Sequence, residues 1–436
     1  MNRRDFVKLL GASGLAVSAP YGLSSKAFAA SEVAQFFVMV HAGGGWDPTS
    51  LCDPKGNAER SDGKGPVNNF LPEQILSVGG SPIRYAPLPD PTLATSTVRT
   101  DMALTNFDAF FNTYASDMRI INGIDTNTNS HEGGTRYVWS GILEDKRQPA
   151  FAALVASIYA PSKPMTFMSN GGYDATAGLV APTRAGSASS FQRLTYPNRY
   201  DVNNENSLYL NNDVMERVEQ AKLNRKNRLI QNATLPQRKR SISQLFTVSM
   251  GDNNLDSLIS YLPASLSSGM RGQAEMAAAA FKSGLAVSAN LVSGGFDTHG
   301  THDRNQLFSL ARLIDGVDHL MQELDRLGIR EKTTVLVSSD FGRTPYYNSG
   351  NGEDHWPVTS MLALGMGVGG NSVVGATDEN FKALPVNTTT LQPDANGTKI
   401  TPQHIHAALR QMAGITSHAN SRQHPLEGPY LNIFGA

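Results

Sequence analysis

Aspartate and histidine residues follow several predicted buried strands of this chain, each in a short loop. Carboxylates and imidazoles together are the side chains that bind Zn²⁺, Mn²⁺ and related divalent ions, whereas Ca²⁺ and Mg²⁺ prefer oxygen ligands. A single D-x-H pair is weak evidence for a metal site. The repeated placement of aspartate and histidine after predicted strands, however, favours one. The candidate metal ligands are Asp47, Asp297, His299, Asp340 and His355.

A scaffold must bring these distant loops together. Continuous apolar runs alternate with helical patterns along the chain, which predicts buried parallel strands covered by helices on both faces. The expected fold is therefore α/β, a three-layer α/β/α sandwich with a mostly parallel central sheet. In folds of this kind, ligands bind beyond the carboxyl ends of the strands. The predicted strands are 36–40, 119–123, 290–292, 333–337 and 361–364, and the predicted helices are 105–114, 149–159, 212–231, 270–289, 305–327 and 402–412.

The amino terminus has the pattern of an export signal. Arg3 and Arg4 precede a weakly apolar stretch, and Ala27-Phe28-Ala29 matches a small-residue cleavage site. This pattern predicts a twin-arginine signal peptide over residues 1–29 and a single mature domain over 30–436, with a polar helical surface insertion around 205–245. We therefore expect a periplasmic or extracellular protein whose partners include the twin-arginine export machinery.

Composition and missing motifs exclude several other functions. The 37 basic and 38 acidic residues give a net charge of −1, which argues against binding to nucleic acid. The mature chain has no apolar run long enough to predict a membrane span. The run HAGGG at 41–45 is not accompanied by a G-x-S-x-G nucleophile motif, so it does not indicate a serine hydrolase.

Arg343, three residues after Asp340, is a candidate for holding an anionic oxygen of a ligand.

Four sequence blocks resemble a known family. They are FDTHGTH at 296–302, SSDFGRTP at 338–345, GEDHWP at 352–357 and VVGATDE at 373–379. These blocks resemble the twin-arginine-exported family called domain of unknown function 1501, which is similar to the alkaline phosphatase and sulfatase superfamily. The resemblance spans nearly the whole mature chain and implies an alkaline-phosphatase-like sandwich. It also implies that Asp47 binds one metal, that Asp297 and His299 bind another, and that Asp340 and His355 complete the set.

The chain departs from the superfamily pattern at two places. Phe341 follows Asp340 where the superfamily commonly has a histidine ligand. His299 lies two residues after Asp297, and His302 five, where a spacing of four is common. These departures leave open whether one metal site is incomplete or uses His302 or His131.

The resemblance also implies a hydroxyl nucleophile at a helix start after the second strand. Ser130 is the favoured candidate, with Thr128 and Thr135 as the other hydroxyls in that stretch. The expected function is an exported, metal-dependent hydrolase of phosphate or sulfate esters that uses Zn, Mn or Ca. Its substrate would be a small-molecule or polymer-linked anionic ester. The alternative is a non-catalytic exported binding or assembly protein that keeps the fold and at most one metal.

Overall fold

A computed structural model describes residues 35–87, 105–144, 147–184, 193, 195–201, 204–249, 255–263 and 265–435. The predicted signal peptide, residues 1–29, lies outside the described residues. The described residues form one compact unit.

An eight-stranded sheet forms the centre of this unit. Its strand order is β12-β4-β11-β8-β1-β7-β5-β6. Strand β11 runs antiparallel to its neighbours β4 and β8, and all other pairs in the sheet are parallel. The mostly parallel sheet expected from the apolar runs is therefore confirmed. Its strands are β1 (Phe36–Gly43), β4 (Met118–Asp125), β5 (Phe167–Ser169), β6 (Pro182–Thr183), β7 (Ser288–Gly294), β8 (Thr333–Ser339), β11 (Val358–Gly365) and β12 (Ser372–Val374).

Ten α-helices connect or flank these strands in the described part of the chain. They are α1 (Phe107–Tyr114), α2 (His131–Ser140), α3 (Phe151–Tyr159), α4 (Asn212–Asn232), α5 (Pro236–Ser249), α6 (Leu255–Tyr261), α7 (Gly269–Lys282), α8 (His302–Arg326), α9 (Pro402–Met412) and α10 (Ala419–Gln423). Every residue of α4 is exposed or half-buried, and α4 packs against α5.

Helices cover both faces of the sheet, as two adjacent residues of β1 show. The ring of Phe36 stacks on Phe281 of α7, with 4.9 Å between the ring centroids. The ring of Phe37 meets Phe151 of α3 edge-on, at 5.3 Å. Successive side chains of a strand point to opposite faces, so α3 and α7 lie on opposite sides of the sheet. The expected α/β/α layering is confirmed.

Local signals explain several of the element boundaries. Helix α9 begins at Pro402 after Thr401 and ends at Met412, as predicted, because proline is favoured in the first helical turn. The helix predicted over 270–289 was too long, since α7 already ends at Lys282. Gly284 has φ +73°, which breaks the helix and allows the chain to enter β7.

Two short hairpins complete the fold. Strand β2 (Leu76–Ser77) pairs with β3 (Arg84–Tyr85), and β9 (Gly342–Arg343) pairs antiparallel with β10 (His355–Trp356). The second hairpin places His355 directly opposite Arg343. The carboxyl ends of β1, β4, β7 and β8 and the start of β11 lie at the same edge of the sheet, where this hairpin also lies. The described part of the chain contains no helix both long and apolar enough to cross a bilayer.

Candidate metal centre

The loop after β1 is tied to the end of β8 by the side chain of Asp340. Its Oδ1 accepts hydrogen bonds from the backbone N–H of Gly45 at 2.6 Å and of Gly44 at 3.2 Å. Gly44 has φ +117°, and a Cβ at this position would lie 2.6 Å from the backbone nitrogen of Asp297. The two glycines therefore allow the loops after β1, β7 and β8 to approach one another closely.

Three histidine rings near this loop have their Nδ1 atoms against oxygen acceptors. These pairs are His131 with the Asp340 carboxylate, His299 with Asp354 at 2.7 Å, and His355 with the backbone oxygen of Asn129 at 2.8 Å. A neutral imidazole that donates from Nδ1 presents the lone pair of Nε2 on its other side. This arrangement is typical of histidine metal ligands, whose second nitrogen is held by a carboxylate or carbonyl.

The three Nε2 atoms converge on one oxygen, Oδ1 of Asp297. The distances are 3.0 Å from His299, 3.4 Å from His355 and 3.6 Å from His131. The Nε2 atoms of His299 and His355 are 3.1 Å apart. Tetrahedral ligands about 2.0–2.1 Å from a zinc ion are separated from one another by roughly 3.3 Å. These distances are compatible with ligands of a first-row metal ion, and the ligand atoms of His131, Asp297 and His355 all lie within 4.8 Å of one another.

The donor set is reachable from solvent on one side, and one donor lacks a partner. The side chains of Asp297 and His299 are 50% and 48% exposed, whereas that of His355 is 23% exposed. Nε2 of His131 is buried and has no hydrogen-bond partner within the described residues. An open face and an unpaired buried nitrogen are both expected of a site that binds a metal and leaves room for a further ligand.

The net charge of this cluster is suited to binding a divalent cation. Three carboxylates, of Asp297, Asp340 and Asp354, face one guanidinium, of Arg343, which gives a formal charge of −3 + 1 = −2. Burial acts to raise the pKa of Asp297, but the hydrogen bond and charge of Arg343 outweigh it and hold that pKa below its ordinary value. The hydrogen bond to Asp340 raises the pKa of His131, so a proton on this ring competes with a metal ion.

The buried side chain of Arg343 holds the loops around the cluster in place. Its side chain is fully buried, with Nε donating to Gly45 O at 2.7 Å and Nη1 donating to Glu353 O at 3.1 Å. Nη2 donates to Gly44 O and, at 2.8 Å, to Oδ1 of Asp297. The sequence suggested that Arg343 holds an anionic oxygen of a ligand. The structure instead directs its donors to three loop carbonyls and to Asp297, so Arg343 positions the cluster.

Asp47 is separated from the other predicted ligands. It lies in a second group with His302 and Glu353, and all three side chains are about 1% exposed. Asp340 also faces the cluster only through His131, to which its Oδ2 is bonded. The five predicted ligands are thus divided: Asp297, His299 and His355 meet directly, Asp340 orients His131, and Asp47 lies elsewhere.

Three residues of these groups were not among the predicted ligands, and one of them, His302, had been left open as an alternative. His131 was also an open alternative, and its position at the start of a helix after β4 was the available signal. Glu353 was missed because nothing in GEDHWP indicates that its first acid is buried. Phe341, where the resemblance implied a histidine, is fully buried with its ring centroid 4.8 Å from that of His131 and 4.6 Å from that of His355.

Ser130, the predicted nucleophile, is the N-cap of α2. Its Oγ accepts a hydrogen bond from the backbone N–H of Gly133 at 3.4 Å. Ser130 is exposed and directly precedes His131. The hydroxyl therefore lies at the positive end of a helix dipole, beside His131 of the candidate metal cluster.

The sequence profile of one family matches most of the chain. The family is described as "Protein of unknown function (DUF1501)", and the match covers residues 34–420. The chain belongs to the DUF1501 family. A search of curated proteins found no match to this DUF1501 protein.

Solved structures with a similar arrangement include a synthase, a sulfatase and an alkaline phosphatase. Lipoteichoic acid synthase LtaP from Listeria monocytogenes is 8% identical, with 96% of this chain and 80% of that chain covered and a TM-score of 0.39. The PsFucS1 sulfatase from Pseudoalteromonas sp. is 10% identical, with coverages of 100% and 76% and a TM-score of 0.37. A mutant of TAB5 alkaline phosphatase with Mg bound is 8% identical, with coverages of 78% and 94% and a TM-score of 0.32. At these values the similarity extends only to the general arrangement of the chain.

Proposed function

We propose that this DUF1501 protein is an exported, metal-dependent hydrolase of phosphate or sulfate esters. Its metal would be held by Asp297, His131, His299 and His355. The observation that carries the proposal is the convergence of three Nε2 atoms on Oδ1 of Asp297, each imidazole having its Nδ1 against an oxygen acceptor.

The donor set narrows the choice of metal. Three imidazole nitrogens and one carboxylate oxygen suit Zn²⁺ or Mn²⁺, whereas Ca²⁺ prefers six to eight oxygen ligands. Of the three metals expected from the sequence, we therefore propose Zn²⁺ or Mn²⁺. A bound divalent metal supplies Lewis-acid chemistry, because it polarises an ester oxygen and acidifies a nearby hydroxyl.

The residues around the cluster support an anionic substrate. A divalent ion brings the formal charge of the cluster from −2 to zero, so a phosphate or sulfate group meets no net repulsion there. The amino-terminal end of α2, capped by Ser130, adds partial positive charge on the same side. The half-exposed side chains of Asp297 and His299 leave room for a small-molecule or polymer-linked ester.

Ser130 is the proposed nucleophile. Its Oγ would form a bond to the phosphorus or sulfur atom while its proton passes to solvent. The ester oxygen would leave as an alcohol after taking a proton from solvent, and water would then cleave the new bond to Oγ. The role of Asp297, held by Arg343, is to stay ionised and correctly oriented at neutral pH.

Export by the twin-arginine route is part of the proposal, on the pattern at residues 1–29. The export machinery would then be a partner, and the mature chain would reside in the periplasm or outside the cell. Replacing Arg3 and Arg4 by lysine should retain the full-length precursor in the cytoplasm. Cell fractionation with immunodetection measures this outcome, and unchanged export of the Lys-Lys variant would contradict it.

The activity is tested with aryl phosphates and aryl sulfates on protein loaded with Zn²⁺ or Mn²⁺. Ser130→Asn keeps an N-cap acceptor but has no hydroxyl, whereas Ser130→Thr keeps both. We expect Ser130→Asn to abolish turnover with metal content unchanged, and Ser130→Thr to retain part of it. A normal rate for Ser130→Asn would remove Ser130 from the mechanism.

A second candidate is an exported binding or assembly protein without turnover. The observation that favours it is Phe341, whose buried ring packs against both His131 and His355 at the position where the superfamily commonly has a further ligand. This candidate predicts full metal occupancy and no hydrolysis of any ester tested. The same assay therefore separates the two functions.

A further inference from the structure

Three ionisable side chains from distant parts of the chain meet in the protein interior. Asp47 follows β1, His302 is the first residue of α8, and Glu353 lies just before β10. Nε2 of His302 is 3.2 Å from Oε2 of Glu353 and 3.5 Å from Oδ2 of Asp47. One ligand atom from each of the three residues lies within 4.8 Å of the other two.

The outer atoms of two of these side chains are held by neighbouring residues. Oδ1 of Asp47 accepts from the backbone N–H of Thr49 at 2.9 Å and from its hydroxyl at 2.7 Å. Nδ1 of His302 lies 2.8 Å from Oγ1 of Thr298. Oδ2 of Asp47 therefore faces Nε2 of His302, and this nitrogen also faces Oε2 of Glu353.

Glu353 is the unusual member of the group. Although Nε2 of His302 is close, neither carboxylate oxygen of Glu353 receives a hydrogen bond from the described residues. A buried carboxylate without hydrogen bonds is costly, and one beside a second carboxylate is more so. Something positive must compensate this pair.

A cation compensates the pair better than a proton does. A proton on Glu353 could be donated to Nε2 of His302 at 3.2 Å, but it would balance only one of the two carboxylates and leave the second oxygen of Glu353 without a partner among the described residues. A divalent ion would balance the two carboxylates and accept the lone pair of a neutral His302. The distances of 3.2 and 3.5 Å between ligand atoms match the roughly 3.3 Å expected around a first-row metal.

We propose that Asp47, His302 and Glu353 form a second metal site, enclosed in the protein, for a divalent ion of the Zn²⁺ or Mn²⁺ class. Both oxygens of Glu353 bind the ion, which gives four donor atoms with Oδ2 of Asp47 and Nε2 of His302. The site ties the loop after β1 to the start of α8 and to the β9–β10 hairpin. Its role is structural, since its ligands are about 1% exposed and no substrate reaches them.

This inference is independent of the proposed hydrolase, because the two sites share no ligand. The test is metal analysis of the full chain, purified after Zn²⁺ loading, during extraction with EDTA. We expect two Zn²⁺ per chain that leave in two phases, the enclosed ion at least about tenfold more slowly than the open one. His131→Ala should remove the fast phase, and Glu353→Gln should remove the slow phase.

Asp354→Asn serves as the matched control, since it changes the neighbouring acid, which is exposed. It should keep the slow phase. Retention of the slow phase in Glu353→Gln would overturn the enclosed site, as would a single ion per chain that leaves only in the fast phase. Absence of the fast phase from the unmodified protein would instead count against the open site.

Anomalous diffraction from crystals of the unmodified protein keeps the inference testable if Glu353→Gln fails to fold. A zinc peak among Asp47, His302 and Glu353 supports the site. An infrared band of a protonated carboxyl that is assigned to Glu353 in the Zn²⁺-loaded protein overturns it.

Discussion

Asp340→Asn should weaken metal binding at the open site by altering the tautomer of His131. Oδ1 of Asp340 accepts from Gly44 and Gly45, and its Oδ2 bonds Nδ1 of His131. The asparagine oxygen must serve the two backbone N–H groups, so its NH₂ group faces His131. Two donors then oppose each other unless His131 moves its proton from Nδ1 to Nε2. A protonated Nε2 has no lone pair for a metal.

The expected loss follows from the support that Asp340 gives to this one ligand. Removing such a partner typically costs about 10–100-fold in metal affinity, or about 1.4–2.7 kcal/mol. The change also weakens a buried hydrogen-bonded acceptor, because Asp340 is 1% exposed. Unfolding free energy should therefore fall by about 1–3 kcal/mol.

The assay is competition for Zn²⁺ with a chromophoric chelator at pH 8, with chemical unfolding measured in parallel. Asp354→Asn is the control, because it removes the same kind of partner from His299 but at a side chain that is 53% exposed. Water can replace the lost bond there, so we expect at most about a threefold change. A Zn²⁺ affinity of folded Asp340→Asn equal to that of Asp354→Asn would refute the tautomer argument.

Three further predictions concern the rest of the fold. Burial lowers the pKa of His406 to about 3 from 6.5, so the unfolded chain binds an extra proton below pH 6.5. Stability should thus fall by up to about 1.4 kcal/mol per pH unit between pH 6.5 and 3, a slope that urea titrations should find reduced in His406→Gln. A Cβ at Gly134 would lie 2.3 Å from Asp340 O, whereas one at Gly133 would have 3.3 Å to its nearest neighbour. Gly134→Ala should therefore lower the unfolding free energy by about 1–3 kcal/mol more than Gly133→Ala, and equal losses would contradict this packing. Burial also raises the pKa of the Cys52 thiol, so a disulfide reagent should label Cys52 only in denaturant, and labelling of the native protein would count against it.

Local patterns in the sequence determined the layers of the fold. The runs at 36–40 and 333–337 predicted β1 and β8, because strands buried on both faces must be apolar throughout. Thr401 and Pro402 marked the start of α9, since a helix start depends on a few neighbouring residues. The antiparallel direction of β11 could not be predicted from these local patterns, because strand direction depends on the path of the chain between strands.

The sequence also placed acids and histidines at one edge of the sheet, but only the tertiary structure decided which of them meet. Asp340 and the glycines after β1 are bonded across about 295 residues of chain, and that contact directs Asp340 toward His131. Asp47 turns away into the interior because Oδ1 is held by Thr49. The direction of a side chain depends on such long-range and turn-specific bonds, which residue type and spacing do not specify.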